Sequence, residues 1–128
     1  MNNQEKISSL CTRLQEALDL KKMKAIDLSN ATGIPKGSIS YYLSGKFTPK
    51  GDRLHIISKA LGVSEAWLLG FDVPRNRTSK QIQNDQLLPI ITRLRVDEDF
   101  FETVSAFAEL TEEEAHSIKQ LLSVLRKK

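Results

Sequence analysis

The sequence predicts an all-α protein, with a five-helix domain at the N-terminus and a shorter helical region after it. Apolar residues recur at intervals of three and four along much of the chain, and no segment carries a strand signal. Glycine and proline divide residues 1–73 into short segments, whereas residues 74–86 are almost entirely polar. We therefore expect a helical domain at 1–73, a linker at 74–86 and a helical region at 87–128.

The first helix is expected at about residues 5–20. Its apolar positions share one helix face and are Ile7, Leu10, Cys11, Leu14, Ala17 and Leu18. Cys11 is the single cysteine and stands within this face, so we interpret it as a small core residue and not as a reactive thiol. A lone cysteine forms no internal disulfide, which fits a reducing cytoplasm.

The second and third helices are short and lie close together in the chain. The pattern MKAIDLSNATG predicts a helix at about 24–31 that ends at Gly33. Pro35 suits the first turn of the next helix, because its missing N–H would have no partner there, and Gly45 ends that helix. Two short helices joined by a tight turn with a glycine are typical of a helix-turn-helix unit.

The core of this unit and the helices after it follow from their apolar residues. Ser29 is small where the two short helices must approach each other. A fourth helix ends at Gly62, and Ser64 is a suitable N-cap for a short fifth helix. The expected core side chains of these helices are Leu28, Ile39, Leu54 and Trp67.

Positive charge is concentrated in the first part of the chain. Residues 1–73 carry ten Lys and Arg against seven Asp and Glu, whereas residues 74–128 carry nine of each. An excess of positive charge on one domain favours a polyanionic partner. On charge alone, a solvated surface without a partner is an equally good interpretation.

The segment GIPKGSISYYLSGK, residues 33–46, spends many positions on Lys, Ser and Gly, which are poor core material. In a helix-turn-helix unit the second helix turns its outer face to the DNA major groove, where it needs donors and acceptors for base edges. Gly37 would let DNA approach the backbone closely, and Lys50 and Arg53 are expected near phosphates. The predicted base-reading residues are Lys36, Gly37, Ser38, Ser40 and Tyr41. The plainer interpretation leaves Lys36 solvated and packs Tyr41 on the domain surface.

The segment from MKAIDLSNATG to EAWLLG resembles the helix-turn-helix domain of Cro/CI-type (XRE) regulators, and the phage-repressor branch in particular. The motifs ATGI, SISYY, LSGK and ALGVS stand in register, and the resemblance covers about residues 5–73. It implies a five-helix, lambda-repressor-like fold. It also implies base reading by Lys36, Gly37, Ser38 and Tyr41, and phosphate contacts by Lys24, Tyr42, Lys46 and the backbone near Gly45.

Two positions depart from the pattern of that family. Ala25 stands where the family often has glutamine, and Gly37 stands where a polar base-reading residue is usual. The sequence of the DNA site therefore does not carry over from relatives.

An enzyme or a metal protein is poorly supported by the sequence. His55 and His116 stand alone in separate helical segments, and with one cysteine they give no zinc-binding spacing. No nucleophile elbow or phosphate-binding glycine loop is present. We predict no catalytic residue, metal or cofactor. The chain also has no transmembrane run and no signal-peptide pattern, so we expect a cytoplasmic protein.

The region after residue 86 is interpreted as an assembly module. It carries three helical patterns, with Pro89 near the start of the first and a capping box of Thr111 and Glu114 opening the third. So short a region rarely builds a sufficient core alone, and residues 96–115 hold eight acids and no base, which disfavours contact with DNA. The predicted oligomerisation residues are Phe100, Phe101, Val104, Phe107, Ile118, Leu121, Leu122 and Leu125. The alternative is that these helices fold back on their own N-terminal domain.

Together these features predict a sequence-specific DNA-binding transcriptional regulator, of the kind found as prophage repressors. It would bind a double-stranded operator with an inverted repeat as a dimer or higher oligomer, with an anti-repressor protein as a further partner and no membrane contact. The alternative is a protein-interaction module, such as an antitoxin, whose C-terminal helices bind another protein. An enzyme is a distant third.

Overall fold

The computed structural model describes residues 5–127, and within them the regular secondary structure is helical, with two isolated β-bridges besides. The all-α prediction is confirmed. The helices are α1 (Leu10–Lys21), α2 (Ala25–Thr32), α3 (Lys36–Ser44), α4 (Gly51–Leu61), α5 (Glu65–Leu68), α6 (Ser79–Val96), α7 (Glu98–Ala108) and α8 (Glu112–Leu125). The chain divides into two compact units, which we call the head (up to Asp85) and the tail (from Gln86).

The head has a hydrophobic core built from all five of its short helices. Leu28 and Ile39 are completely buried and Trp67 is 6% exposed, while Leu54 packs at the edge of the core. Helix α3 packs against both α1 and α2, so its inner face is fixed from two sides. These residues confirm the predicted core. Cys11 is only half-buried and lies beside Gly45.

The turn between α2 and α3 is held by local bonds. Gly33 ends α2 with φ 78°, a left-handed conformation in which glycine carries no Cβ penalty. The Ser29 hydroxyl donates a 2.6 Å hydrogen bond to the carbonyl of Ile34, which joins α2 to the residue that enters α3. Gly45 ends α3 with φ 81°. The predicted helix-turn-helix geometry is confirmed, with bounds within about one residue of those expected.

The predicted start of α1 is wrong, because the helix begins at Leu10 and not near residue 5. The side chain of Ser9 caps it by accepting a hydrogen bond from the N–H of Thr12. Before this cap Lys6 forms an isolated β-bridge with Phe71, and the N–H of Ile7 donates to the carbonyl of Gly70 at 2.8 Å. Ile7 is therefore exposed and lies outside the helical face to which its spacing assigned it.

The predicted linker is also wrong in part, because α6 starts at Ser79 and runs through it. Thr78 and Gln81 form a reciprocal cap: each backbone N–H donates to the other's side-chain oxygen, at 2.8 and 3.1 Å. Pro89 consequently lies inside α6 and not near its start. The division into domains at residues 73 and 87 stays a prediction.

The tail has the helices that the sequence predicted, but residues 86–127 include no buried side chain. The capping box of Thr111 and Glu114 opens α8 as expected. Asp97 caps α7 by accepting a hydrogen bond from the N–H of Phe100. Of the described tail residues none is buried, and several large apolar side chains are about half exposed or more, among them Leu88, Phe101, Leu121, Val124 and Leu125.

Candidate nucleic-acid interface

Helix α3 separates its side chains into an inner and an outer face. Ile39 and Tyr42 are buried in the head core. The predicted base-reading residues lie on the other side: Ser38 is half-buried, and the exposed ones are Lys36, Gly37, Ser40 and Tyr41. The structure therefore brings all five onto the surface of one helix. Their contacts with bases stay predictions.

Gly37 stands in open space at the exposed start of α3. A Cβ built on it would meet no atom of the described residues within 4 Å. The free protein therefore has room for a side chain at this position. Packing within the head therefore does not require a glycine at this position.

A groove of about 420 Å³ beside α3 is lined both by residues predicted to read bases and by residues predicted to contact phosphates. It is lined by Ser38 and Tyr41, which are predicted to read bases, and by the cationic Lys50 and Arg53. The Asp52 carboxylate also lines it, so its charge is mixed. The sequence did not single out Phe47 and Thr48, which complete the lining together with Tyr42. The sequence does contain a signal for Phe47, because it is an aromatic residue directly after the LSGK motif that ends the helix.

Tyr42 links the core to this groove. It is 6% exposed, and its hydroxyl accepts a 3.0 Å hydrogen bond from Nη1 of Arg53. The tyrosine thus fixes the direction of the guanidinium. A direct phosphate contact by Tyr42 stays a prediction, and the structure adds a second role, which is to position Arg53.

The other predicted phosphate contacts lie around the ends of the two short helices. Lys24 precedes α2, and its N–H donates to the Asp27 carboxylate at 2.8 Å. Lys46 follows α3, with Nζ 5.3 Å from the centre of the Tyr41 ring. Both lysines are exposed, as is Gly45 between α3 and Lys46. None of these three residues lines the groove.

A cluster of charged side chains joins α4, α5 and α6 within the head. Arg77 donates from Nε and Nη2 to the two oxygens of Asp85, both at 2.8 Å. Its Nη1 donates to Glu65 at 2.7 Å and to the carbonyl of Val63 at 2.9 Å. Nδ1 of His55 lies 2.8 Å from the other Glu65 oxygen. We call these four side chains the Arg77 cluster: His55, Glu65, Arg77 and Asp85.

In the Arg77 cluster, the positive charge of Arg77 is paired with the carboxylates of Glu65 and Asp85. Partial burial alone would raise the pKa of Glu65, yet hydrogen bonds from Arg77 and His55 outweigh it and hold that pKa below its ordinary value. Burial would likewise lower the pKa of Arg77, but its bonds to Glu65 and Asp85 raise it. Both groups are therefore charged near neutral pH. His55 thus has a structural environment in the head, and within residues 5–127 no group of side chains is arranged as metal ligands.

Comparison with known protein families matches residues 14–68 to the helix-turn-helix family. The matched segment begins within α1, ends with α5, and includes α3 and all of the groove-lining residues. A search of curated proteins finds no match. Within the part of the chain that the structure describes, no helix is long and apolar enough to cross a membrane.

Proposed function

We propose that this chain is a DNA-binding transcription regulator of the Cro/CI (XRE) helix-turn-helix type and acts as a prophage-type repressor, and the match of residues 14–68 to the helix-turn-helix family supports this. It binds an inverted-repeat operator in double-stranded DNA as a dimer or higher oligomer, and it acts in the cytoplasm. Occupation of the operator excludes the transcription machinery from the same DNA.

The groove beside α3 is the observation that carries this proposal. With α3 in the major groove, Ser38 and Tyr41 would meet base edges, while Lys50 and Arg53, which line the same groove, would meet phosphates. Base contacts and backbone contacts then come from one continuous surface. Lys36, Gly37 and Ser40 extend the base-reading side, and the exposed Lys24 and Lys46 extend the cationic side.

Assembly through the tail supplies the two-fold symmetry that an inverted repeat requires. The exposed apolar side chains of α7 and α8 need a cover, and a second copy of the tail provides one of matching chemistry. The proposed contact residues are Phe100, Phe101, Val104, Phe107, Ile118, Leu121, Leu122 and Leu125. The surfaces of α7 and α8 are acidic as well as apolar. An anti-repressor protein that binds these surfaces would act without touching the DNA-binding face.

Selection of bound sequences from a random DNA pool tests the proposal. We expect an inverted repeat whose half-sites lie about one helical turn apart, centre to centre, or a multiple of it. Binding should weaken steeply with salt, because lysine and arginine displace counterions from phosphates. Equal binding to all sequences at every salt concentration would contradict the proposal.

A protein-interaction module, such as an antitoxin, is the second candidate, and the exposed apolar tail is the observation that favours it. In that case the tail would cover its apolar faces with a different protein. Sedimentation of the purified full chain separates the two candidates. A dimer or larger species supports assembly of the regulator, whereas a monomer that associates only with a second protein supports the interaction module.

A further inference from the structure

Two aromatic side chains form an apolar surface next to the base-reading face of α3. The rings of Tyr41 and Phe47 are perpendicular, with centroids 5.3 Å apart, which is the edge-to-face arrangement. Tyr41 is 47% exposed and Phe47 is 55% exposed. The Phe47 N–H lies 3.4 Å from the carbonyl of Tyr41, so the backbone also keeps the two residues together.

The surroundings of this aromatic pair restrict what it can contact. Both rings line the groove, in which the two cations Lys50 and Arg53 outnumber the single carboxylate of Asp52, and Nζ of Lys46 lies near the Tyr41 ring. A matching ligand therefore presents an apolar group close to negative charges. In the major groove of DNA, the apolar group of this kind is the 5-methyl group of thymine, which no other standard base carries.

We propose that Tyr41 and Phe47 together read the 5-methyl group of a thymine in each half-site, and that Phe47 is a specificity-determining residue. The proposal rests on the proposed function, because it requires α3 in the major groove. Contact with the methyl group removes apolar surface of both rings from water, whereas a base with hydrogen at this position leaves them partly solvated. A 5-methylcytosine presents the same group and is accepted in the same way.

Uracil replacement tests the proposal on the intact protein, because uracil differs from thymine only by this methyl group. Thymines of the half-site selected from random DNA are replaced one at a time. We expect one replacement to weaken binding about fourfold, as for one buried methyl-sized group. In Phe47→Ala the same replacement is expected to have little effect, since the surface that covers the methyl group is lost.

A matched control is Leu20→Ala, which removes a similarly exposed apolar side chain on α1, outside the groove. This variant should keep the full effect of uracil. If the intact protein prefers a sequence but tolerates uracil at every thymine, or if Phe47→Ala keeps the effect, methyl reading is wrong and the proposed function stands. If the intact protein prefers no sequence, the proposed function itself fails.

Discussion

The head and the tail of this chain differ in how they cover their apolar side chains. In the head, Leu14, Leu28 and Ile39 have no exposed surface, and a continuous core joins the five short helices. In the tail, Leu121 is 55% exposed and Leu125 is 63% exposed, although both belong to α8, which opens with a capping box. Local helix signals are thus equally good in both regions. The difference teaches that the head has a core of its own, whereas the described part of the tail leaves apolar faces exposed.

Removal of the tail is the strongest test of this comparison. A chain that ends at Gln86 keeps the head core and the Arg77 cluster, so we expect it to fold and to remain monomeric. It should bind a single half-site as the full chain does, but lose about 10²–10⁴ in affinity for the full operator, because the second half-site is no longer engaged intramolecularly. Sedimentation and titration on full and half operators measure both effects.

A full-length control makes the same test without truncation. Leu121→Asp combined with Leu125→Asp places carboxylates on the exposed α8 face, where burial against a second copy would be costly. We expect the same loss of oligomer and of operator affinity with the head intact. Dimers in either protein would show that the tail does not assemble this chain, and the interaction-module candidate would then be the better one.

Loss of Arg77 tests what stabilises the end of the head. Arg77→Met would leave the buried Asp85 carboxylate without its bidentate partner, and breaking a buried pair in this way costs about 3 kcal/mol of unfolding free energy. Urea denaturation measures this cost. Arg93→Ala is the matched control, because Arg93 pairs with Asp97 in the exposed part of the tail and should change stability by less than about 1 kcal/mol. If the two substitutions lowered the free energy of unfolding equally, the Arg77 cluster would stabilise the protein no more than an exposed ion pair does.

The same cluster predicts the direction of the acid response. The pKa of Glu65 is lowered in the folded head, so its bonds stabilise the fold fully above the unfolded-state value, near 4.5. This stability is lost as the pH falls from there through the lower folded-state pKa. We expect Glu65→Gln to flatten the dependence of head stability on pH in that acid range, as followed by urea denaturation at several pH values. An unchanged slope would contradict this assignment.

Substitutions on α3 and directly after it should separate base contacts from phosphate contacts. Tyr41→Ala or Lys36→Ala is expected to reduce discrimination between the selected half-site and altered half-sites by about 1–3 kcal/mol. Lys46→Ala should weaken binding to all DNA similarly, because a phosphate contact carries no sequence information. Titrations on a panel of half-sites measure both. An unchanged preference in Tyr41→Ala would show that its assigned role is wrong.

Gly37→Ala gives the smallest expected change in stability and the clearest separation of folding from binding. Alanine is favoured over glycine inside a helix by about 0.5–1 kcal/mol, and the added Cβ meets nothing in the free head. We therefore expect a more stable protein that binds DNA less well, because the methyl group stands where DNA must approach. A more stable protein with unchanged affinity would place DNA away from this position.

Helix ends and helix faces were largely predictable from the sequence because their signals are local. Gly33, Gly45 and Gly62 end three helices with φ of 78°, 81° and 71°, as their positions after periodic segments indicated. The capping box of α8 likewise lies within four residues. Such features depend on neighbours in the chain, so spacing is enough to recognise them. The outward face of α3 follows from the same periodicity once Ile39 is assigned to the core.

Only the tertiary structure decided where α1 begins, how α6 is anchored and what lines the groove. Ile7 leaves the helical pattern because its N–H finds the carbonyl of Gly70, and a Cβ on Gly70 would overlap the carbonyl of Ser8. Arg77, within the predicted linker, is held in the head by hydrogen bonds to Asp85 and Glu65. Phe47 packs on Tyr41 and lines the groove beside α3. Each of these depends on partners that spacing along the chain does not specify, since they meet only after the helices have packed.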